Sequence, residues 1–248
     1  MKASVYRTAA EASRAAAAVI ARQLQRKPAS VLGLPTGRTS LAIYEEVARL
    51  HRVGEADFSR AHTFNIDEFL GLTSADRRSF CAFMEKHLFR RINLSKDHIH
   101  FLNGDATDTG KECDRFERDL ASLGGLDLLV LGIGANGHIG FNEPGTALHG
   151  RTHRARLTVE TRRANADLFG GRLAAVPREA LTMGVATMLN AREIVLVATG
   201  AAKARAVHSM FTGRITTARP ASLLQLHKHV EVILDSAAAE KGLADRII

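Results

Sequence analysis

A glycine-rich loop that follows an apolar run holds residues suited to acid–base chemistry, namely Asn136, His138 and Glu143. An imidazole can move protons near neutral pH, and a neighbouring carboxylate can orient it or share its protons. The glycines of this loop let the backbone approach a ligand closely. The pattern therefore predicts a catalytic loop. A histidine with a purely structural role is the alternative interpretation of His138.

A buried strand must position this loop. An apolar run formed by Leu126, Leu128–Leu131 and Ile133 is too short for an ordinary helix and is typical of a central strand in a parallel sheet. Ligands bind at the carboxyl ends of such strands. The run Gly132-x-Gly134-x-x-Gly137 also matches a dinucleotide-binding fingerprint, which requires a helix to begin at the last glycine. The chain continues instead into Ile-Gly-Phe-Asn-Glu-Pro, which does not begin a helix, so we reject this interpretation.

A second loop has the composition of an anion-binding site. The strand predicted at 30–34 leads into Gly37, Arg38 and Thr39, and a helix begins there. Free backbone N–H groups and the helix dipole at such a helix start stabilise a phosphate. Lys203 lies about one helical turn beyond another predicted strand, at 193–199, and could also point at a phosphate. An ordinary helix start and a solvated lysine are the alternatives.

Asp67 and Glu68 follow the strand predicted at 62–66. Two adjacent carboxylates at a strand end could include a general base. They could equally belong to a solvated turn, and the residues alone favour the turn.

The composition is that of a globular protein. The 248 residues are 46% hydrophobic and 24% charged, with no tryptophan. Cys81 and Cys113 lack the spacing of metal ligands, and we interpret them as two reduced thiols. With neither a signal-peptide core nor an apolar run of membrane length, the expected compartment is the cytoplasm and no membrane partner is expected.

The net charge of +8 raises the question of nucleic-acid binding. The basic residues are spread along the chain, and no nucleic-acid-binding motif or basic tail occurs, so no nucleic-acid partner is expected. The densest basic group, between Arg151 and Arg163, follows the glycine-rich loop. We interpret it as an electropositive approach for a small anionic substrate. Ordinary surface charge is the alternative for most of its members.

Strands and helices alternate along the chain, which predicts an α/β fold. We expect an open, mainly parallel central sheet with helices on both faces, a Rossmann-like three-layer arrangement, in a single domain spanning 1–248. A helix is predicted from Pro177 to Leu189, because proline suits the first helical turn. The last predicted strand, at 230–234, is expected to lead into a terminal helix.

Seven motifs, taken together and in order, resemble one family along nearly the full length: LGLPTGRTS, FNIDEFLGL, LNGDATD, LGIGANGHIGFNEPGT, RTHRARLTVETRRANADLFGG, VPREALTMGV and VATGAAKA. They resemble the glucosamine-6-phosphate deaminase family, within the wider group that includes 6-phosphogluconolactonase. The GHIGFNEPG segment favours the deaminases.

The resemblance implies isomerisation and deamination of glucosamine 6-phosphate to fructose 6-phosphate and ammonia, in amino-sugar catabolism, without a metal or other cofactor. By this analogy His138 assists opening of the sugar ring, with Glu143 and Asn136 in support. Asp67 carries the proton between C2 and C1. Proton transfer between adjacent carbons needs a weak base that can return the proton, and ring opening needs a separate acid–base group.

The resemblance also implies how the substrate's phosphate is held. It would lie among the backbone of Gly37–Thr39, Arg162 and Lys203, since charged donors complement a phosphate. Residues from about 156 to 182 would form a small mobile lid.

Three positions depart from the family's pattern. Many members carry aspartate where this chain has Asn136, and an amide can orient His138 but cannot stabilise an imidazolium by charge. A second glycine is usual where Arg38 stands, so Arg38 adds a phosphate contact or alters the pocket. Allosterically activated relatives have arginine and lysine where this chain has His153 and Ala155, so the effector site for N-acetylglucosamine 6-phosphate is expected to be absent.

Two other functions remain open at this point. One is a deaminase/isomerase for galactosamine 6-phosphate, because the residues do not reveal which hydroxyl epimer is accepted. The other is a non-catalytic sugar-phosphate sensor, which would not need Asp67, His138 and Glu143 together. The expected partner in each case is a small sugar phosphate. The expected state is a monomer or a small homo-oligomer.

Overall fold

A computed structural model describes residues 1–239 of the chain. Its strands are β1 (Lys2–Tyr6), β2 (Val31–Leu34), β3 (His62–Asn65), β4 (Asp67–Phe69), β5 (Ile99–His100), β6 (Leu128–Leu131), β7 (His153–Arg156), β8 (Glu179–Thr182), β9 (Glu193–Ala198) and β10 (Val230–Asp235). Its α-helices are α1 (Ala9–Arg26), α2 (Arg38–Arg52), α3 (Phe80–His87), α4 (Thr109–Ser122), α5 (Val159–Ala164), α6 (Val185–Leu189) and α7 (Ala204–Thr212). The terminal helix predicted after β10 lies outside the described residues.

The central sheet has seven strands in the order β1-β10-β9-β6-β2-β3-β5, and every neighbouring pair is parallel. From β2 the chain moves outward through β3 to β5. It then returns to β6, on the other side of β2, and moves outward through β9 to β10. The loops after β2 and β6 therefore leave the sheet at a topological switch point, where open α/β sheets bind ligands.

Alternating side chains of the central strands enter two separate cores. In β6, Leu128 and Val130 pack in the core beneath α1 and α2. Leu129 and Leu131 pack in the opposite core, which contains Phe116 of α4 and the buried face of α7. Helices thus cover both faces of the sheet, and the predicted three-layer α/β fold is confirmed.

A second, antiparallel sheet in the order β4-β8-β7 was not predicted. The helix predicted from Pro177 to Leu189 is wrong, because residues 179–182 form β8 and only Val185–Leu189 are helical. Pairing of β8 with strands on both sides outweighs the local preference of a short apolar segment for a helix. The backbone N–H of Met183 donates to the carbonyl of Ile66 at 2.7 Å, which joins the small sheet to the chain leaving β3.

Residues 157–178 connect β7 to β8 and lie within the range predicted as a lid. They include α5 and two short 3₁₀ segments, Ala166–Phe169 and Leu173–Ala175. Phe169 packs edge-on against Phe69 of β4, with the ring centroids 5.4 Å apart. The segment is therefore seated on the small sheet, and its movement stays a prediction. No helix within residues 1–239 is long and apolar enough to span a membrane.

Candidate active site

The loop after β6 folds back on itself and presents His138. The N–H of Gly134 donates to the carbonyl of His138 at 2.9 Å, and the N–H of Gly137 donates to the carbonyl of Gly134 at 2.9 Å. A Cβ atom at position 134 would lie 2.3 Å from Nδ1 of His138. Only glycine at 134 therefore leaves room for the imidazole in this position.

Asn136, His138 and Glu143 come together as the sequence predicted. Nδ1 of His138 lies 3.5 Å from Oε2 of Glu143. Nδ2 of Asn136 donates to the same carboxylate oxygen at 3.0 Å, and Oδ1 of Asn136 accepts from the backbone N–H of His138 at 3.1 Å. The amide thus fixes both the histidine backbone and the carboxylate that faces its ring.

Two threonines of the segment between β7 and β8 complete this cluster. Thr158 donates from its N–H at 3.3 Å and from its hydroxyl at 3.2 Å to Oε1 of Glu143. Oγ1 of Thr161 lies 3.4 Å from Nδ1 of His138. Neither threonine was predicted as a site residue from the sequence. The one local signal was a threonine in N-cap position before α5, a role that Thr158 fills.

The cluster keeps Glu143 ionised. Burial acts to raise the pKa of Glu143, but hydrogen bonds from His138, Thr161 and Asn136, together with the charge of His138, outweigh burial and lower the pKa to about 2. A permanent carboxylate beside Nδ1 favours the proton on that nitrogen, which leaves Nε2 able to accept or donate a proton.

Asp67 begins β4 and is buried, with 6% of its surface exposed. Its Oδ1 has no hydrogen-bond partner within the described part of the chain. Burial, followed by the charge of Glu68, raises the pKa of Asp67 to about 8. A buried, unpartnered carboxylate with such a pKa is suited to take up a proton and give it back.

The neighbouring Glu68 has a different role. Its two carboxylate oxygens accept hydrogen bonds at 2.9–3.0 Å from the backbone N–H groups of Phe69, Phe80 and Cys81. It therefore satisfies the free N–H groups at the start of α3. Burial raises the pKa of Glu68 to about 7 despite these bonds. Since both carboxylates are buried, the solvated turn favoured by the residues alone is wrong.

Thr182 of β8 connects Asp67 to the catalytic loop. Asp67 and Thr182 are directly paired across the antiparallel ladder. Oγ1 of Thr182 accepts from the N–H of Phe141 at 3.0 Å, and Nδ2 of Asn142 donates to the carbonyl of Met183 at 2.9 Å. The small sheet thus holds the carboxylate and the His138–Glu143 loop in one structural unit.

The start of α2 is open to an anion. Gly37 has a φ of 107°, a conformation that favours glycine, and no side chain caps the helix. Arg38 and Thr39 are the first residues of α2, so their N–H groups have no partner within the helix. These free donors, at the positive end of a 15-residue helix, form the type of site that binds phosphate.

Lys203 lies close to this helix start. Burial lowers the pKa of Lys203, and the positive charge of Arg38 lowers it further. This second effect arises because the two cationic side chains lie near each other. Nη1 of Arg38 also lies 3.9 Å from a carboxylate oxygen of Asp167, and both side chains are exposed. The structure therefore brings Gly37, Arg38 and Lys203 together.

Arg162 is placed differently. Its Nη2 donates to the carbonyl of Leu173 at 2.8 Å and to that of Val176 at 3.0 Å, and its Nε donates to Val176 at 3.3 Å. In this conformation Arg162 joins α5 to the second of the two 3₁₀ segments, Leu173–Ala175, and to Val176 directly after it. Its contact with a phosphate stays a prediction. Among residues 1–239, no group of three or more histidine, cysteine, aspartate or glutamate side chains could hold a metal ion.

The parallel α/β sheet carries three features near the carboxyl ends of its strands: a helix N-terminus that can bind phosphate, a buried carboxylate with a free oxygen, and a His–Glu pair. This combination is typical of enzymes that perform acid–base chemistry on small anionic substrates. The sequence model of the family described as glucosamine-6-phosphate isomerases/6-phosphogluconolactonase matches residues 4–234. The chain belongs to this family.

Individual relatives resemble the chain over most of its length. It is 45% identical over 232 residues to glucosamine-6-phosphate deaminase 2 of Bacillus subtilis (strain 168), with 93% of each chain covered. It is 45% identical over 221 residues to glucosamine-6-phosphate deaminase 1 of Giardia intestinalis, covering 89% of this chain and 83% of the relative. A solved structure of a monomeric glucosamine-6-phosphate deaminase superposes with a TM-score of 0.93 at 41% identity, covering 96% of this chain and 98% of the other.

Proposed function

We propose that this protein is a glucosamine-6-phosphate deaminase, which isomerises and deaminates glucosamine 6-phosphate to fructose 6-phosphate and ammonia in amino-sugar catabolism. The relatives named above carry this activity in their names. The structural observation that carries the proposal is Asp67, a buried carboxylate with an unpartnered oxygen and a pKa raised to about 8. An isomerisation through proton transfer between adjacent carbons needs such a group.

In this mechanism His138 opens the sugar ring. The carboxylate of Glu143 holds the proton on Nδ1, so Nε2 can take the proton of the anomeric hydroxyl and deliver it to the ring oxygen. Asn136, Thr158 and Thr161 position the histidine and the glutamate and do not themselves exchange protons.

Asp67 then removes the proton from C2 of the open-chain sugar, which gives an enolamine, and returns a proton to C1. The resulting imine at C2 takes up water, and ammonia leaves to give the ketone of fructose 6-phosphate. Burial of Asp67 shields the proton from solvent between its removal and its return.

The phosphate binds at the start of α2, where the backbone of Gly37, Arg38 and Thr39 and the side chain of Lys203 supply donors. Arg162 is a further donor in our proposal. Because its Nε and Nη2 already bond to backbone carbonyls, it would contact the phosphate through Nη1 or after the lid moves. We further propose that the chain works as one domain, and that within the predicted lid range of about 156–182 the connection 157–178 closes over the substrate while β7 and β8 stay paired.

The experiment that tests the proposal is release of ammonia from a panel of hexosamine phosphates. Glucosamine 6-phosphate is expected to release ammonia and fructose 6-phosphate in equal amounts. Faster release from galactosamine 6-phosphate would favour the epimeric activity, and binding without release would favour a sensor. We also propose a monomer or small homo-oligomer located in the cytoplasm. Light scattering and fractionation test these two points, and the free thiols of Cys81 and Cys113 agree with a reducing compartment.

A further inference from the structure

A cavity lies against the turn Ala135–Gly137 of the catalytic loop. It has a volume of about 250 Å³ and lies between the turn at Ala135–Gly137, helix α7 and the segment Ala218–Ser222. Asp67, His138, Glu143 and Lys203 do not line it. It is therefore distinct from the site where the sugar phosphate is proposed to react, although the two share the turn that contains Asn136.

Two arginines face this cavity, Arg205 from α7 and Arg219 from the segment after it. Within residues 1–239 neither guanidinium forms an ion pair or a hydrogen bond. The whole stretch 194–230 contains Lys203, Arg205, Arg214, Arg219 and Lys228 but no aspartate or glutamate. Both side chains are exposed, and two arginines that line one cavity, with no carboxylate supplied by the same stretch, suit a small anion as ligand.

The segment that carries Arg219 also holds the catalytic loop at both ends. The N–H of Ala221 donates to the carbonyl of Gly137 at 2.9 Å. At the other end, the N–H of Gly145 donates to the carbonyl of Thr217 at 3.2 Å, and the hydroxyl of Thr217 donates to the carbonyl of Gly145 at 2.7 Å. His138 and Glu143 lie between these two attachment points.

The segment 216–222, which carries Arg219, is held together by its own hydrogen bonds. Oγ of Ser222 accepts from the N–H of Thr216 at 2.9 Å and donates to the carbonyl of Arg219 at 2.6 Å. Residues 216–222 therefore form a compact turn that connects Arg219 to both contacts with the loop. An occupant between Arg205 and Arg219 would fix this turn relative to α7.

We propose that this cavity binds a small phosphate, either inorganic phosphate or a short phosphate monoester, and that its occupancy raises kcat by stabilising the catalytic loop. The volume of about 250 Å³ is below the roughly 300–1,000 Å³ of sites for drug-sized ligands, so the cavity suits a small anion. The ligand acts at a site separate from the reacting sugar, which makes the effect allosteric.

The kinetic test measures kcat at saturating glucosamine 6-phosphate while glycerol phosphate or inorganic phosphate is added. Saturating substrate removes competition at the catalytic site, so a change in kcat reports the second site. We expect a rise of about fivefold, the lower end of common coupling factors, with the more effective probe identifying the ligand class. The double variant Arg205→Ala/Arg219→Ala should keep the basal kcat and lose the response. Arg214→Ala, an exposed arginine that does not line the cavity, should respond like the wild type.

A binding test does not depend on the proposed deaminase activity. Phosphorus NMR titration of Lys203→Ala, whose catalytic phosphate site is weakened, should still report one bound phosphate. Adding Arg205→Ala and Arg219→Ala to this variant should abolish that binding. Equal binding before and after removal of the two arginines would overturn the site. Binding with no change in kcat would overturn the coupling to the catalytic loop.

Discussion

Asn136 donates a hydrogen bond from Nδ2 to Oε2 of Glu143 at 3.0 Å, and that oxygen faces the His138 ring. An ionised aspartate could not make this bond, because a carboxylate only accepts. The amide therefore supports Glu143 by donating to it, whereas an aspartate at 136 would place two carboxylates side by side.

Asn136→Ala should lower kcat while KM changes little, because the substrate's phosphate contacts are untouched. Loss of a hydrogen bond to a charged group costs about 1.5–3 kcal/mol, or roughly 10–150-fold in rate. Steady-state kinetics give both parameters. In the companion variant Asn136→Asp, carbon NMR should show the pKa of Glu143 rising from its present value of about 2, because like charges disfavour ionisation. A wild-type kcat in Asn136→Ala would exclude this positioning role.

The pH dependence of kcat/KM should carry an acid limb set by Asp67 in the free enzyme. Burial and then the charge of Glu68 raise its pKa to about 8, and only the ionised form can remove a proton. Below that pH, kcat/KM should fall about tenfold per pH unit. Glu68→Gln removes the neighbouring charge and should move the limb to lower pH. Titration of the substrate itself affects the wild type and Glu68→Gln equally. An acid limb at the same pH in both enzymes would therefore contradict its control by Asp67.

Lys203→Ala should chiefly raise KM for the phosphorylated sugar, by roughly 10–150-fold for loss of a charge-assisted hydrogen bond. Arg162→Ala should also raise KM, and it should lower the melting temperature because it releases the carbonyls of Leu173 and Val176. Arg163→Ala, a neighbouring exposed residue of α5, is the matched control and should change neither quantity. Unchanged KM in both Lys203→Ala and Arg162→Ala would count against this phosphate site.

Substrate saturation should be hyperbolic, with no activation by N-acetylglucosamine 6-phosphate. Ala155 is buried in the aromatic core of the small sheet and offers no donor. Burial lowers the pKa of His153, whose ring stacks on His149 and whose Nδ1 lies 3.0 Å from the carbonyl of Arg151. A neutral histidine cannot replace a cationic phosphate ligand. Initial rates with and without millimolar effector test this, and a sigmoidal curve that the effector straightens would refute it.

The central sheet and the main loops could be predicted because their signals are local. The apolar run before Gly132 indicated β6, the glycine and hydroxyl residues after Leu34 indicated the start of α2, and the polar residues around His138 indicated the cluster that the structure shows. Each signal lies within a few residues of the feature that it predicts.

The remainder depends on distant contacts. Asp67 and Glu68 look equivalent in the sequence. They differ because backbone N–H groups at the start of α3, which begins at Phe80, donate hydrogen bonds to Glu68, whereas Oδ1 of Asp67 has no partner. Thr161 reaches His138 across 23 positions only because the segment after β7 folds back over the loop. The strand β8 forms because it is paired on both edges, which no local pattern encodes.

Asp67→Asn is expected to retain substrate binding and to lower turnover by about 10²–10⁴-fold, the usual cost of deleting a positioned acid–base group. The variant is nearly the same size as the wild type, so loss of the ionisable group is the main change. Circular dichroism and substrate titration serve as controls for folding and binding.

The most direct test supplies glucosamine 6-phosphate carrying deuterium at C2 to the wild type and to Asp67→Asn, and follows ammonia and the label. The wild type should release ammonia and fructose 6-phosphate in equal amounts, turn over more slowly than with unlabelled substrate, and deliver part of the deuterium to C1, while Asp67→Asn should be nearly inactive. Failure of the wild type to release ammonia, or turnover by Asp67→Asn within a few-fold of the wild type, would contradict the account.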